Sequence, residues 1–221
     1  MSRFDPSFQQ LPPTLPVFPL DGVLLLPRGM LPLNIFEPRY LNMIEDALKS
    51  DRMIGMIQPS APAARSDKEP PLYETGCAGR IVAFEETDDG RFLISLKGVA
   101  RFHVTEELAT TRGYRRVRPD WAGFETDLEE APHGAVARDK LFKSLRAFFK
   151  AQEIEASWDA LNETPDERLV NSLAMICPFE ASEKQALLEA DSVAKRAEVL
   201  TALVEMAVLD TGGGGGDKAK Q

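Results

Sequence analysis

The sequence predicts an α+β fold: an amino-terminal, partly closed β-barrel carrying one helix, followed by a carboxy-terminal α-helical bundle. Up to about residue 120, short apolar runs alternate with turn residues. Glycine is then absent between Gly134 and Gly212, and within that stretch Val193, Ala197, Leu200, Val204 and Val208 recur at helical spacing. The implied organisation is a flexible arm over 1–14, a β-rich subdomain over 15–122, a bundle over 123–210 and a disordered glycine-rich tail over 211–221.

Residues 1–13 are polar and proline-containing, which suits a loose arm. Leu15-Pro16-Val17-Phe18-Pro19-Leu20 opens the ordered chain. Its two prolines remove backbone donors, so the segment reads as an edge strand. Asp21-Gly22 is a turn signal, Val23 to Pro27 a second short extended piece, and Met30 to Phe36 a third, again with a proline. The period changes at Glu37-Pro38-Arg39-Tyr40: Pro38 suits a first helical turn, and Leu41, Ile44, Ala47 and Leu48 give the apolar face of a helix near 38–49. Met53 to Ile57 reads as an apolar strand, and Pro59 through Pro71 as a proline-rich surface loop.

From Leu72 to Pro119 the chain reads as β structure. Gly76 to Phe84 is a strand, and Asp88-Asp89-Gly90 is a hairpin turn with Gly90 in the left-handed position. Phe92, Ile94 and Leu96 alternate after it, Gly98 marks a bend, and Gly113 to Arg118 is the last strand. In the second half, Leu141, Leu145, Phe148 and Phe149 share a helical face. Thr164-Pro165-Asp166-Glu167 and Ser182-Glu183-Lys184-Gln185 read as capping boxes. Four or five helices are expected, with Leu200 and Val204 buried in a small core belonging to the bundle itself and a limited interface to the barrel.

Composition narrows the function classes. The 221 residues carry a net charge of −9, which repels phosphate backbones and gives no pull toward anionic lipid. Cys77 and Cys177 stand far apart, and His103 and His133 have no Cys-x-x-Cys companion, so neither a disulfide framework nor a zinc spacing is present. The amino terminus lacks a charged-then-apolar leader, and a soluble, cytoplasmic chain is expected. There is no phosphate-binding loop ahead of an apolar helix and no Gly-x-Ser-x-Gly elbow. Ser192-Val193-Ala194-Lys195 fits a Ser-x-x-Lys pattern, but Ser192 stands at a helix start, where it caps. Glu85, Glu86, Asp88 and Asp89 read as solvated turn charges. Arg112, Arg115, Arg116 and Arg118 form the one basic cluster and are the sole support for a nucleic-acid or small-ligand module.

Several motifs, taken in order, resemble one family. Leu15-Pro16-Val17-Phe18-Pro19-Leu20, Leu26-Pro27-Arg28-Gly29 and Leu31 through Tyr40 are similar to the opening of the Lon protease amino-terminal, substrate-binding domain. Gly76-Cys77-Ala78-Gly79-Arg80-Ile81, Asp89-Gly90-Arg91 and Gly98-Val99-Ala100-Arg101-Phe102 follow in the same order. Pro178-Phe179-Glu180 and Glu183 through Glu189 look like the helical half of stand-alone bacterial members. The resemblance implies a PUA-like pseudo-barrel and a non-enzymatic role in capturing extended or unfolded polypeptides, as an adaptor or quality-control factor beside a protease. It implies no cofactor. Phe36, Glu37, Arg39, Tyr40, Met43, Met53 and Met56 are the candidate peptide-contact residues, because they combine adaptable apolar side chains with a helix start beside a proline-bearing edge.

Overall fold

The computed structural model describes residues 6–61, 69–109, 112–132, 134 and 136–213, with side chains through 210. The strands are β1 Leu15–Pro19, β2 Met30–Ile35, β3 Met53–Ile57, β4 Thr75–Glu86, β5 Phe92–Leu108 and β6 Arg115–Asp120. The helices are α1 Pro38–Leu48, α2 Arg138–Ala151, α3 Trp158–Glu163, α4 Asp166–Ile176, α5 Ala181–Glu189 and α6 Val193–Gly213. No strand lies beyond β6 among the described residues.

The strands form one mixed sheet in the order β2-β5-β4-β3-β1-β6, and β6 also pairs with β5, so the sheet curls back on itself. It is not a clean barrel. The 17-residue β5 pairs with β2 through Phe92 to Lys97 and with β6 only from His103 onward, so β2 stands outside the closure. β1 and β3 run parallel, and α1 lies in the crossover between them.

Four expectations need correction. First, β1 is internal, between β3 and β6. Its antiparallel ladder to β6 covers Leu15 to Val17 and its parallel ladder to β3 covers Val17 to Pro19. The ladders overlap only at Val17, so neither Pro16 nor Pro19 sits where the chain is paired on both sides. Second, Val23 to Pro27 is not a strand. Leu24, Leu25 and Leu26 are a buried irregular segment, fastened where Arg28 N donates to Gly98 O and Gly98 N donates to Gly29 O, each at 2.8 Å. Gly98 permits the crossing, since a Cβ there would stand 2.0 Å from the Leu26 carbonyl oxygen. Third, residues 6–14 are tied down: Leu11 packs on the barrel interior and Trp121 Nε1 donates to Pro12 O. Fourth, α6 continues through Gly213, past the expected start of the tail; residues 214–221 lie outside the described residues.

Helix starts also differ in detail. Pro165 is the N-cap of α4, and the Thr164 hydroxyl donates to Ala160 O. The box at α5 is made by Glu180 and Glu183, upstream of the expected Ser182. Ser192 accepts from Lys195 N, as a cap should.

The bundle does not keep a core to itself. One continuous apolar cluster runs from Leu24, Leu25, Tyr40, Met43 and Ile44 in the amino-terminal half to Leu141, Phe148, Leu169, Leu187, Leu200 and Val204 in the helices. A smaller cluster around the fully buried Phe102 fills the interior of the curled sheet. Gly76 leaves room for that ring: a Cβ on it would lie 2.6 Å from Phe102 Cζ.

A buried polar clamp joins the halves. Arg101 on β5 donates through Nε and Nη2 to the two carboxylate oxygens of Asp127, each at 2.8 Å. Its Nη1 donates to the carbonyls of Leu188, in the last turn of α5, and Ala190, just beyond it. Arg196 donates to Leu187 O and to Asn171 Oδ1, and Asn171 Nδ2 donates to Pro27 O. Asp127 binds Arg101 alone, and both guanidinium groups draw on carbonyls at the carboxy-terminal end of α5, where the helix supplies negative potential.

Two outcomes follow for stability. Leu200 and Val204 are fully buried, so Leu200→Ala is expected to cost about 2–5 kcal/mol; a loss under about 0.5 kcal/mol in urea unfolding would place the side chain outside the core. Arg101→Met strands Asp127 without its partner and is expected to cost about 3–5 kcal/mol, with the double change Arg101→Met/Asp127→Leu recovering part of it.

Candidate polypeptide-binding surface

The structure divides the residues singled out in the sequence. Tyr40, Met43, Met53 and Met56 are buried. Tyr40 faces Phe18 with ring centroids 4.2 Å apart, and its burial raises its hydroxyl pKa. Met53 and Met56 fall on β3, whose five residues are all buried because one face packs into the cluster around Phe102 and the other into the cluster shared with the helices. Phe36, Glu37 and Arg39 remain at the surface.

Arg39 borders a groove of about 670 Å³ between the start of α1, the segment around Pro59 and Tyr73, and the start of α5, and Tyr40 forms part of its wall. Its two arginines are paired locally. Arg39 Nε donates to Glu37 at 3.0 Å and its Nη1 to Glu69 at 3.0 Å, and Arg115 pairs with Glu69 and Glu107. The Arg39 guanidinium also lies 4.6 Å from the Tyr40 ring centroid.

Phe36 belongs to a different surface. β2 has β5 as its one strand neighbour among the described residues, so the far row of its backbone N–H and C=O groups has no strand partner. The register defines rows across the three strands at this end: Asn34–Leu93–Glu85 and Pro32–Ser95–Ala83 on the outward face, with Leu33–Ile94–Phe84 on the inward one. Leu93 is 40% exposed and Phe84, at the rim of the inward face, 43%. Val82 is exposed where the β4–β5 register shifts between Ile81 and Ala83. Phe36, 62% exposed, stands just past β2, with the Arg91 guanidinium 6.0 Å from its ring centroid. At the other end of β2, Met30 enters a groove of about 500 Å³ shared with Met175 and Ile176 of α4. An unpaired strand edge with exposed apolar side chains at both ends suits an added strand, whose backbone would complete the ladder and whose alternate side chains would meet the apolar groups.

Met30, Phe84 and Leu93 were missed in the sequence. Leu93 had a signal: it interrupts the alternation of Phe92, Ile94 and Leu96 with an apolar residue on the outward register. Nothing local marks Ile176, which reaches β2 only through the fold.

Other candidate chemistry is weaker. The arginine cluster is ion-paired: Arg112 with Glu45 and Asp46, Arg115 with Glu69 and Glu107, Arg118 with Glu106, while Arg116 donates to the Thr14 hydroxyl. No metal-holding group of three or more His, Cys, Asp or Glu residues exists among the described residues. Burial drives the Cys77 thiol pKa well up and that of Cys177 to about 11, so both stay as unreactive thiols at neutral pH. Burial, then repulsion from Arg101, lowers the Arg196 pKa to about 10, which still leaves it charged at neutral pH. No described helix is long and apolar enough to cross a membrane.

The chain belongs to the ATP-dependent protease La (LON) substrate-binding domain family, whose model matches residues 14–205. Lon protease 2 of Myxococcus xanthus is 26% identical over 202 residues, 89% of this chain and 24% of that protein. Lon protease 2 of Thermus thermophilus is 28% identical over 208 residues, 91% of this chain and 25% of its own length. The chain thus spans about a quarter of these relatives. Among solved structures, the Lon N-terminal domain protein from Xanthomonas campestris aligns with a TM-score of 0.58 at 23% identity, covering 86% of this chain and 97% of that one. The N-terminal domain of the Mycobacterium avium complex Lon protease aligns at 0.61 and 18% identity, with the same coverage.

Methionine oxidation checks the placement. With dilute peroxide and mass spectrometry, Met30, which is 54% exposed, is expected to oxidise well before the buried Met43, Met53 and Met56. Comparable rates at Met30 and Met53 would overturn the assignment.

Proposed function

We propose that this chain is a non-catalytic polypeptide-binding module that holds extended or unfolded segments along the free edge of β2, serving as an adaptor or quality-control factor beside a protease. The observation that carries this reading is the one-sided pairing of β2 between exposed Phe36 and exposed Met30. Membership of a family described by substrate binding supports it. In this reading the β-rich subdomain over 15–122 supplies the edge, and the helical subdomain over 123–210 braces it and adds Met175 and Ile176 to one end.

The physical case rests on how a strand edge binds. Main-chain hydrogen bonds accept any sequence, so one edge can serve many unfolded clients, while flanking apolar residues favour segments that a folded protein would hide. Met30 and Met175 add adaptability, because a thioether side chain repacks around different shapes.

The test is binding of a permanently unfolded model protein, reduced and carboxymethylated, followed by fluorescence anisotropy. Phe36→Asp/Leu93→Asp alters two exposed positions and is expected to weaken binding about tenfold or more while leaving the melting temperature in place. Equal binding by the variant and the parent would remove the β2 edge as the site. No binding by the parent would remove the polypeptide-binding reading altogether.

A further inference from the structure

The free edge of β2 has a symmetry that an unfolded client does not call for. Met30 and Phe36, the exposed apolar residues at its two ends, stand equally far in sequence from Leu33. Alternation puts Met30, Pro32 and Asn34 on the exposed outward face and Leu31, Leu33 and Ile35 on the inward one. Leu31 and Leu33 pack against the core yet stay only half-buried, because no strand lies beyond them among the described residues. None of the six residues of β2 is charged, whereas edges are commonly kept apart by charge. The charges that flank the strand are opposite, Arg28 before it and Glu37 after it.

We propose that this edge pairs with the same edge of a second copy of the chain, the two β2 strands running antiparallel about a two-fold axis at Leu33. Such an axis, normal to the sheet, keeps each face with its like, so every residue meets the one equally far on the other side of Leu33. Met30 of each copy then lies opposite Phe36 of the other, Leu31 opposite Ile35, and the two Leu33 side chains meet at the axis. An axis at Pro32 would set Met30 against Asn34, and one at Asn34 would set Phe36 against Pro32, so the Leu33 register is the one that joins apolar to apolar at both ends. The flanking charges obey the same symmetry: Arg28 of each copy comes beside Glu37 of the other. All these contacts are between facing strands, about 5 Å apart. Pro32 suits an edge and removes one donor per copy, which weakens the ladder without blocking it. A strand of six residues offers less area than a permanent interface needs, so the association is reversible and depends on concentration. The inference does not rest on polypeptide binding, since an edge can meet its own copy whether or not it takes other segments.

The test is sedimentation equilibrium of the full chain over a range of concentrations, with no client present. A reversible monomer–dimer equilibrium is expected. Met30→Lys or Phe36→Asp alone, each at an exposed position, is expected to raise the dissociation constant about tenfold or more without changing the melting temperature. The two changes together are expected to recover part of that loss, because the register sets each new cation opposite a new carboxylate of the other copy. Leu33→Cys reads the axis itself. Facing residues of an antiparallel pair lie within disulfide reach, and the native thiols are buried. Mild oxidation should therefore cross-link Leu33→Cys about tenfold faster than Leu31→Cys, whose two copies are offset along the ladder. A chain that stays monomeric up to about 1 mM overturns the proposal. So does a dimer that neither single change weakens, that the double change does not restore, or in which Leu31→Cys cross-links as readily as Leu33→Cys. Failure of the parent to bind an unfolded protein overturns the polypeptide-binding reading alone, so the two can fail separately.

Discussion

A guanidinium placed in an apolar interior must find both charge and geometry, and Arg101 finds them from two directions at once. Asp127 meets it from the short helical turn after β6, and the carbonyls of Leu188 and Ala190 meet it from the bundle. Removing any of these contacts leaves a buried donor or a buried carboxylate unsatisfied, which costs more than the contact itself is worth. The curled sheet and the helices are therefore held in one relative position by a polar constraint as well as by their shared apolar core. Arg196 and Asn171 extend the constraint to Pro27, at the entrance to β2.

That extension matters for the surface. The segment from Leu24 to Gly29 is pinned beneath by the close crossing at Gly98 and from the side by Asn171. Arg28, at a left-handed φ of 63°, reaches Glu167 on α4, and Glu167 accepts from Ala131 N as well. β2 thus leaves a rigid anchor and runs out along β5 with its other edge open. A strand edge held this way is already ordered, so little conformational entropy would be lost there if a segment added to it.

Much of the fold was legible because its signals are local. Pro38 at a helix start, the left-handed Gly90 and the four-three-four spacing through Leu200 and Val204 each depend on a few neighbouring residues. What was not legible depends on tertiary arrangement. Whether a proline is tolerated in β1 depends on where its neighbours' ladders begin and end, and two staggered ladders make room that no pattern in Leu15 to Leu20 reveals. Met43, Met53 and Met56 have the composition of an adaptable binding face, yet they line the core; side-chain chemistry alone does not separate the two. Of the proposed site, Phe36 was legible as an apolar residue at the end of a strand, whereas the opposite faces taken by Leu93 and Phe84 required the register of three strands.

The pairing of β1 with β6 has a consequence for how the chain acquires this shape. Leu15 meets Val117 and Val17 meets Arg115, so the first strand of the sheet finds its second neighbour only after the whole sheet has been synthesised. Loop-closure entropy delays such distant pairings, and proteins rich in them fold more slowly than helical ones. The hairpin of β4 and β5 joins residues close in sequence and can form early. The sheet then closes late, and the clamp on Arg101 later still, once the end of α5 has emerged. Until that point Leu24 to Leu26 lack the helices that cover them, and the nascent chain itself displays the kind of extended apolar segment that its finished edge is proposed to hold.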